Sequence, residues 1–109
     1  MSKSAVVGRL QDFADGKPHR VTVDDLDVCV VQVEGELFAI DDLCTHAEVS
    51  LSEGEVIDCT IECWLHGSAF DLRTGVPAGP PAVVPVKTHT VTVGTDSDNP
   101  EVQITLNEK

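Results

Sequence analysis

The 109-residue chain is predicted to be an all-β protein of antiparallel strands, on three observations. Short runs rich in Val, Ile and Thr recur along its length, turn residues separate them every several positions, and no stretch of helical period is long enough to sustain a helix. In chain order the runs cover residues 5–9, 20–23, 28–33, 36–40, 55–57, 60–63, 88–93 and 102–106. Gly16-Lys17-Pro18 separates the first two, with Asp12-Phe13-Ala14-Asp15 before it as the one hint of a helical turn. In the third run Cys29 alternates with Val31 and Val33, which places it on a buried strand face as a small apolar side chain. Glu34-Gly35 joins that run to the next as a tight hairpin. Asp58-Cys59 reads either as a two-residue hairpin turn or as a continuation of the alternation that buries Cys59 beside Ile57 and Ile61. Gly94 to Pro100 is too polar to bury and closes the last hairpin. Many short strands with frequent turns indicate a small sandwich or barrel.

Composition narrows the function. The chain has the length of one domain, 1–109, and is short enough that a bound metal centre would add materially to its stability. Nineteen acidic residues against seven basic ones give a net charge of −12, distributed in short groups such as Asp24-Asp25 and Asp41-Asp42. Phosphates would be repelled, so no nucleic acid is expected as a partner. Solubility accounts for most of that charge, and steering toward a basic redox partner is an added reading. Residues 1–9 contain no sustained apolar core, so neither a signal peptide nor a membrane anchor is expected, and the protein reads as cytoplasmic with no membrane partner. Its four cysteines are accordingly expected to be reduced.

The chemistry concentrates in two short stretches. Cys44-Thr45-His46 is followed by Cys63-Trp64-Leu65-His66, each pairing a cysteine with a histidine in turn-like sequence. Thiolate is a soft ligand and neutral imidazole a borderline one, so two of each suit zinc or an iron-sulfur cluster. Structural zinc sites usually group like ligands together, whereas here each pair is mixed.

A C-x-H pair followed by C-x-x-H resembles the Rieske family, and Gly67-Ser68-Ala69-Phe70-Asp71-Leu72-Arg73-Thr74-Gly75 and Gly79-Pro80-Pro81-Ala82 extend that resemblance. The resemblance implies one 2Fe-2S cluster, with Cys44 and Cys63 on the inner iron and His46 and His66 on the outer. It also implies a Rieske-like fold of three antiparallel sheets with a cluster-binding subdomain inserted at about 42–84. High-potential members carry an extra cysteine in each loop, where this chain has Val49 and Leu65, so their disulfide is not expected. They also carry a serine and a tyrosine after the second histidine; Ser68 is kept, but Phe70 stands where the tyrosine would be. One sulfur-directed donor is therefore missing, and with the acidic charge this points to the low end of the Rieske range of roughly −150 to +300 mV. Trp64 is either a surface contact beside the outer iron or a packing lid, the 79–82 segment resembles a proline loop covering the cluster, and His19 and His89 are expected to be ordinary surface or half-buried residues.

The function so implied is that of a soluble, monomeric carrier of single electrons from a flavin-dependent ferredoxin reductase to a terminal oxygenase, as in ring-hydroxylating dioxygenase systems. The chain shows no two-histidine, one-carboxylate iron motif, so it is not expected to be the oxygenase or any enzyme. The alternatives are a Rieske ferredoxin serving another redox or iron-sulfur assembly system, a cluster-free structural subunit of the kind found in some nitrite reductases, and a zinc-bearing interaction module.

Overall fold

In a computed structural model, residues 4–43, 49–64, 69–78, 84–94 and 98–107 are described. They form nine strands: β1 (Ser4–Arg9), β2 (Pro18–Val23), β3 (Leu26–Val33), β4 (Glu36–Asp41), β5 (Glu55–Ile57), β6 (Thr60–Glu62), β7 (Ala69–Asp71), β8 (Thr88–Val93) and β9 (Glu101–Thr105). Single 3-10 turns occupy Leu10–Asp12 and Leu51–Glu53. Every pair of these strands is antiparallel. No helix among the described residues is long and apolar enough to cross a membrane.

Two hydrogen-bonded networks result, one ordered β1-β9-β8-β4-β3-β2 and the other β5-β6-β7. The six-stranded network contains two of the three expected sheets, joined through β8. Thr88 and His89 pair with β4, and Thr90 to Val93 pair with β9. The edge strands β1 and β2 lie against each other, so this network curls toward a barrel. The small sheet is inserted in the chain between β4 and β8.

The central wall is β3. Val28, Cys29, Val30 and Val31 are all fully buried, which a strand with one wet face would not allow. Alternation sends Val28 and Val30 into the barrel side with Phe13, Val23, Ala39, Val102 and Ile104. Cys29 and Val31 point the other way, into a second core with Ile40, Leu51, Ile61, Cys63, Phe70 and Leu72. The small sheet therefore packs on the outside of the barrel through β3 and β4. Burying both faces requires a run of apolar residues instead of a strict alternation, and that is the sequence found.

Several hairpins carry left-handed backbone at residues other than glycine. Asp24 and Asp25 have φ of 50° and 69°, Asp58 has 54°, and Glu34 (50°) precedes Gly35 (84°). The paired positive φ values at Asp24-Asp25 and Glu34-Gly35 are those of type I′ two-residue hairpins, which follow the right-handed strand twist, whereas in the Asp58-Cys59 turn Asp58 alone is positive. Asp tolerates them through its short polar side chain, whereas Glu does not. Glu34→Asn is therefore expected to stabilise the fold by about 1 kcal/mol, measured as a shift in urea midpoint at unchanged slope.

The structure corrects several sequence expectations. Strand β7 was absent from the predicted runs, because Ala69-Phe70-Asp71 is too short to show a period and exists by pairing with β6. The run at 60–63 stops at Glu62, leaving Cys63 just beyond the strand. The helical turn falls on Leu10–Asp12, with Asp12 accepting from the Arg9 N–H at 2.9 Å, instead of on 12–15. Asp58-Cys59 takes the hairpin-turn alternative, and Thr60 Oγ1 closes it by donating to the Ile57 carbonyl at 2.7 Å. His89 is buried, not a surface or half-buried residue.

Candidate metal centre

Of the four predicted ligands, Cys63 lies among the described residues; Cys44, His46 and His66 lie outside them. Cys63 follows β6 directly, is fully buried in the second core and takes part in no disulfide. Glu62 pairs with Ala69, so the connection from β6 to β7 that begins at Cys63 is held at its base by a strand ladder. A buried thiol at the root of such a loop suits a metal thiolate, because the core excludes water and fixes the sulfur.

The other ligand stretch is closed in the same way. Leu43 bridges to Ser50 across residues 44–49. Asp42, only 2% exposed and two residues before Cys44, binds the far end of this segment. Its Oδ1 accepts the Ser52 N–H at 2.8 Å, and its carbonyl accepts the Leu51 N–H at 2.6 Å. Its own N–H donates to the Asp27 carbonyl at 3.1 Å, which ties the loop to the start of β3. The Ser52 N–H gives this buried carboxylate a hydrogen-bond partner.

Two glycines bring these loops together. A β-carbon on Gly54, just past the Leu51–Glu53 turn, would overlap the Glu62 carbonyl oxygen. Only glycine lets the return of the first loop lie on the backbone immediately before Cys63. Gly75, at φ +79°, meets the Val86 carbonyl in the same way. It accepts the Val86 N–H at 2.9 Å and donates to the Asp71 carbonyl at 2.7 Å. The chain returning from the 79–83 segment is thereby bound to the end of β7.

The remaining predicted positions divide between the described and undescribed residues. Val49 is half-buried and packs against the second core, and Phe70 is fully buried within it. Leu65, Ser68 and residues 79–83 lie outside the described residues. Trp64 is 52% exposed, which favours a surface contact over a closed lid. Leu43 and Val84, at the edges of the first loop and the 79–83 segment, are also exposed large apolar residues. Burial pushes the Cys29 thiol up, with the Asp42 carboxylate adding to it. The thiolate needed for alkylation is therefore suppressed. Iodoacetamide on the folded protein is expected to leave Cys29 unmodified, as read by peptide mass mapping. Burial also raises Cys59, partly opposed by the Arg73 guanidinium.

Asp42, Gly54 and His89 escaped the sequence reading. Asp42 and Gly54 look like ordinary turn residues, and only the backbone groups they meet distinguish them. His89 interrupts an otherwise alternating strand, the one signal that could have found it.

The Rieske [2Fe-2S] domain family matches residues 3–90, and the chain belongs to that family. Within it, the anthranilate 1,2-dioxygenase ferredoxin subunit of Burkholderia cepacia is 34% identical over 87 residues, covering 80% of this chain and 81% of its own. The ferredoxin of carbazole 1,9a-dioxygenase from Nocardioides aromaticivorans IC177 superposes with a TM-score of 0.87 at 35% identity, over 94% of this chain and 96% of that one. A second similar structure, a complex of reduced oxygenase and oxidized ferredoxin in carbazole 1,9a-dioxygenase, matches at TM-score 0.83 and 35% identity, over 93% and 91% of the two chains. These relatives are ferredoxin components of dioxygenase systems.

Proposed function

We propose that the protein is a Rieske-type ferredoxin that carries one electron from a flavin-dependent ferredoxin reductase to a terminal oxygenase in the cytoplasm. The observation that carries this reading is the fully buried, disulfide-free Cys63 at the base of one closed loop, with a second closed loop pressed onto the preceding backbone through Gly54. Cys44 and Cys63 would supply thiolates and His46 and His66 imidazoles, within a cluster-binding subdomain of about 42–84. Bound there, a 2Fe-2S cluster supplies reversible one-electron chemistry.

The chain's own contribution is positioning and tuning. The core behind Cys63 excludes water from the sulfur side, and Asp42 holds the first loop's two ends together. Exposed Trp64, Leu43 and Val84 mark the loop end as the docking face, since aromatic and apolar side chains are favoured at interface centres. The acidic surface adds steering, so association with either partner should slow as salt rises. The relatives' pairing with an oxygenase supports the acceptor assignment, and the carrier reading includes no catalytic residue.

The test is the low-temperature electron paramagnetic resonance spectrum before and after dithionite, with iron and sulfide analysis. A rhombic signal that arises only on reduction, with an average g below that of all-cysteine clusters, is expected. A colourless sample that takes up zinc alone would overturn the proposal. The midpoint potential is expected toward the low end of roughly −150 to +300 mV, because the chain is acidic and Phe70 offers no hydroxyl; voltammetry near the upper end would contradict this.

A further inference from the structure

The β4–β8 ladder is short. It covers Ala39 with His89 and Ile40 with Thr88, and stops one residue before the chain turns toward the first ligand loop. Beyond that point the two strands are joined by other means. The Asp41 N–H donates to the Lys87 carbonyl at 2.9 Å, and Asp41 Oδ1 faces His89 Nε2 at 2.7 Å.

The tautomer of His89 follows from its other contact. Its Nδ1 accepts the backbone N–H of Asn107 at 3.1 Å, so that nitrogen carries no hydrogen. The ring is a neutral imidazole with its hydrogen on Nε2, donating to Asp41. Asn107 is held in turn, its Nδ2 donating to the Thr88 carbonyl at 2.8 Å and its Oδ1 accepting from Thr90 Oγ1 at 3.2 Å. The His89 side chain is 1% exposed and Asp41's 25%, so the bond is shielded on the histidine side. Every polar atom of the imidazole is used, which fixes the ring and gives Asp41 a single geometry.

We infer that His89 is a positioning residue for the metal centre: through Asp41 it sets where the first ligand loop leaves β4 relative to the chain returning from residues 79–83. Cys44 follows Asp41 by three positions, and Lys87 and His89 follow Val84 by three and five. The strut therefore joins the start of one loop to the end of another. This assignment rests on the electron-transfer reading above.

The test compares variants that keep different halves of the imidazole. His89→Gln places an amide N–H near the Nε2 position and retains the bond to Asp41. His89→Asn places an acceptor near Nδ1, retaining Asn107 and losing Asp41. Asp41→Ala breaks the same bond while leaving the imidazole and its bond to Asn107 in place. For H89N and D41A, shifted g values, a shifted midpoint potential and roughly tenfold faster iron loss to a chelator are expected, the factor that one lost buried hydrogen bond represents. H89Q is expected to match the unmodified protein in g values and potential. If H89N and D41A bind the cluster with unaltered g values and potential, the assignment is overturned even if both melt at lower temperature. A wild-type protein that binds no cluster overturns the electron-transfer reading and this assignment together.

Discussion

Cys63→Ser is expected to purify colourless, with iron and sulfide near zero and no signal on reduction. A serine hydroxyl stays protonated at neutral pH, whereas the metal takes the thiolate that cysteine readily forms. Cys63 is fully buried, so the substituted hydroxyl would also lack water, at a cost of about 1–3 kcal/mol if it finds no partner. Loss of the cluster's own contribution adds to that, since metal binding to a small fold is coupled to its folding. The control is Cys59→Ser. Cys59 lies in the turn between β5 and β6 and is half-buried, so this variant should keep colour and signal. A coloured C63S protein with unchanged spectra would remove Cys63 from the ligand set.

Gly54→Ala is expected to be the most damaging change outside the proposed ligands. The backbone there, at φ −89° and ψ −162°, suits any residue, so no conformational strain is involved. The damage comes from the added methyl, which would occupy the Glu62 carbonyl oxygen's position. Backbone atoms cannot swing aside as a flexible side chain can, so either the Leu51–Glu53 turn or the end of β6 must move. Overpacking of this kind costs about 3 kcal/mol, which for a domain of this size lowers the melting temperature by roughly 10–20 °C. The shift falls one residue from Cys63, so a cluster that remains should be released faster to a chelator. Calorimetry together with chelation kinetics checks both effects. An unchanged melting temperature and release rate would show that the two loops do not depend on this contact.

The proposed site is read from residue types, and of its four ligands Cys63 lies among the described residues. Two alternating Cys/His pairs in turn sequence are a chemical statement, because thiolate and imidazole together suit few purposes other than holding a metal. The hairpin at Glu34-Gly35 and the burial of Cys29 were equally readable, since turn chemistry and alternation are local. Strand β7 was not, because three residues between a ligand pair and a turn carry no period of their own. His89 was misjudged for a related reason. Its neighbours Thr88 and Thr90 suggest a wet strand, and only the distant Asp41 and Asn107 make a buried imidazole acceptable.

The amino-acid sequence by itself determined the all-β class, the acidic surface and the spacing of the two Cys/His pairs proposed as ligands, all properties of single residues or of short runs. Tertiary structure decided how the loops are held. It placed β3 between two cores, set Gly54 against the Glu62 carbonyl, and joined Asp41 to His89 across 48 positions of chain. Those contacts bring together residues far apart in sequence, and their energies depend on distances that no local pattern encodes.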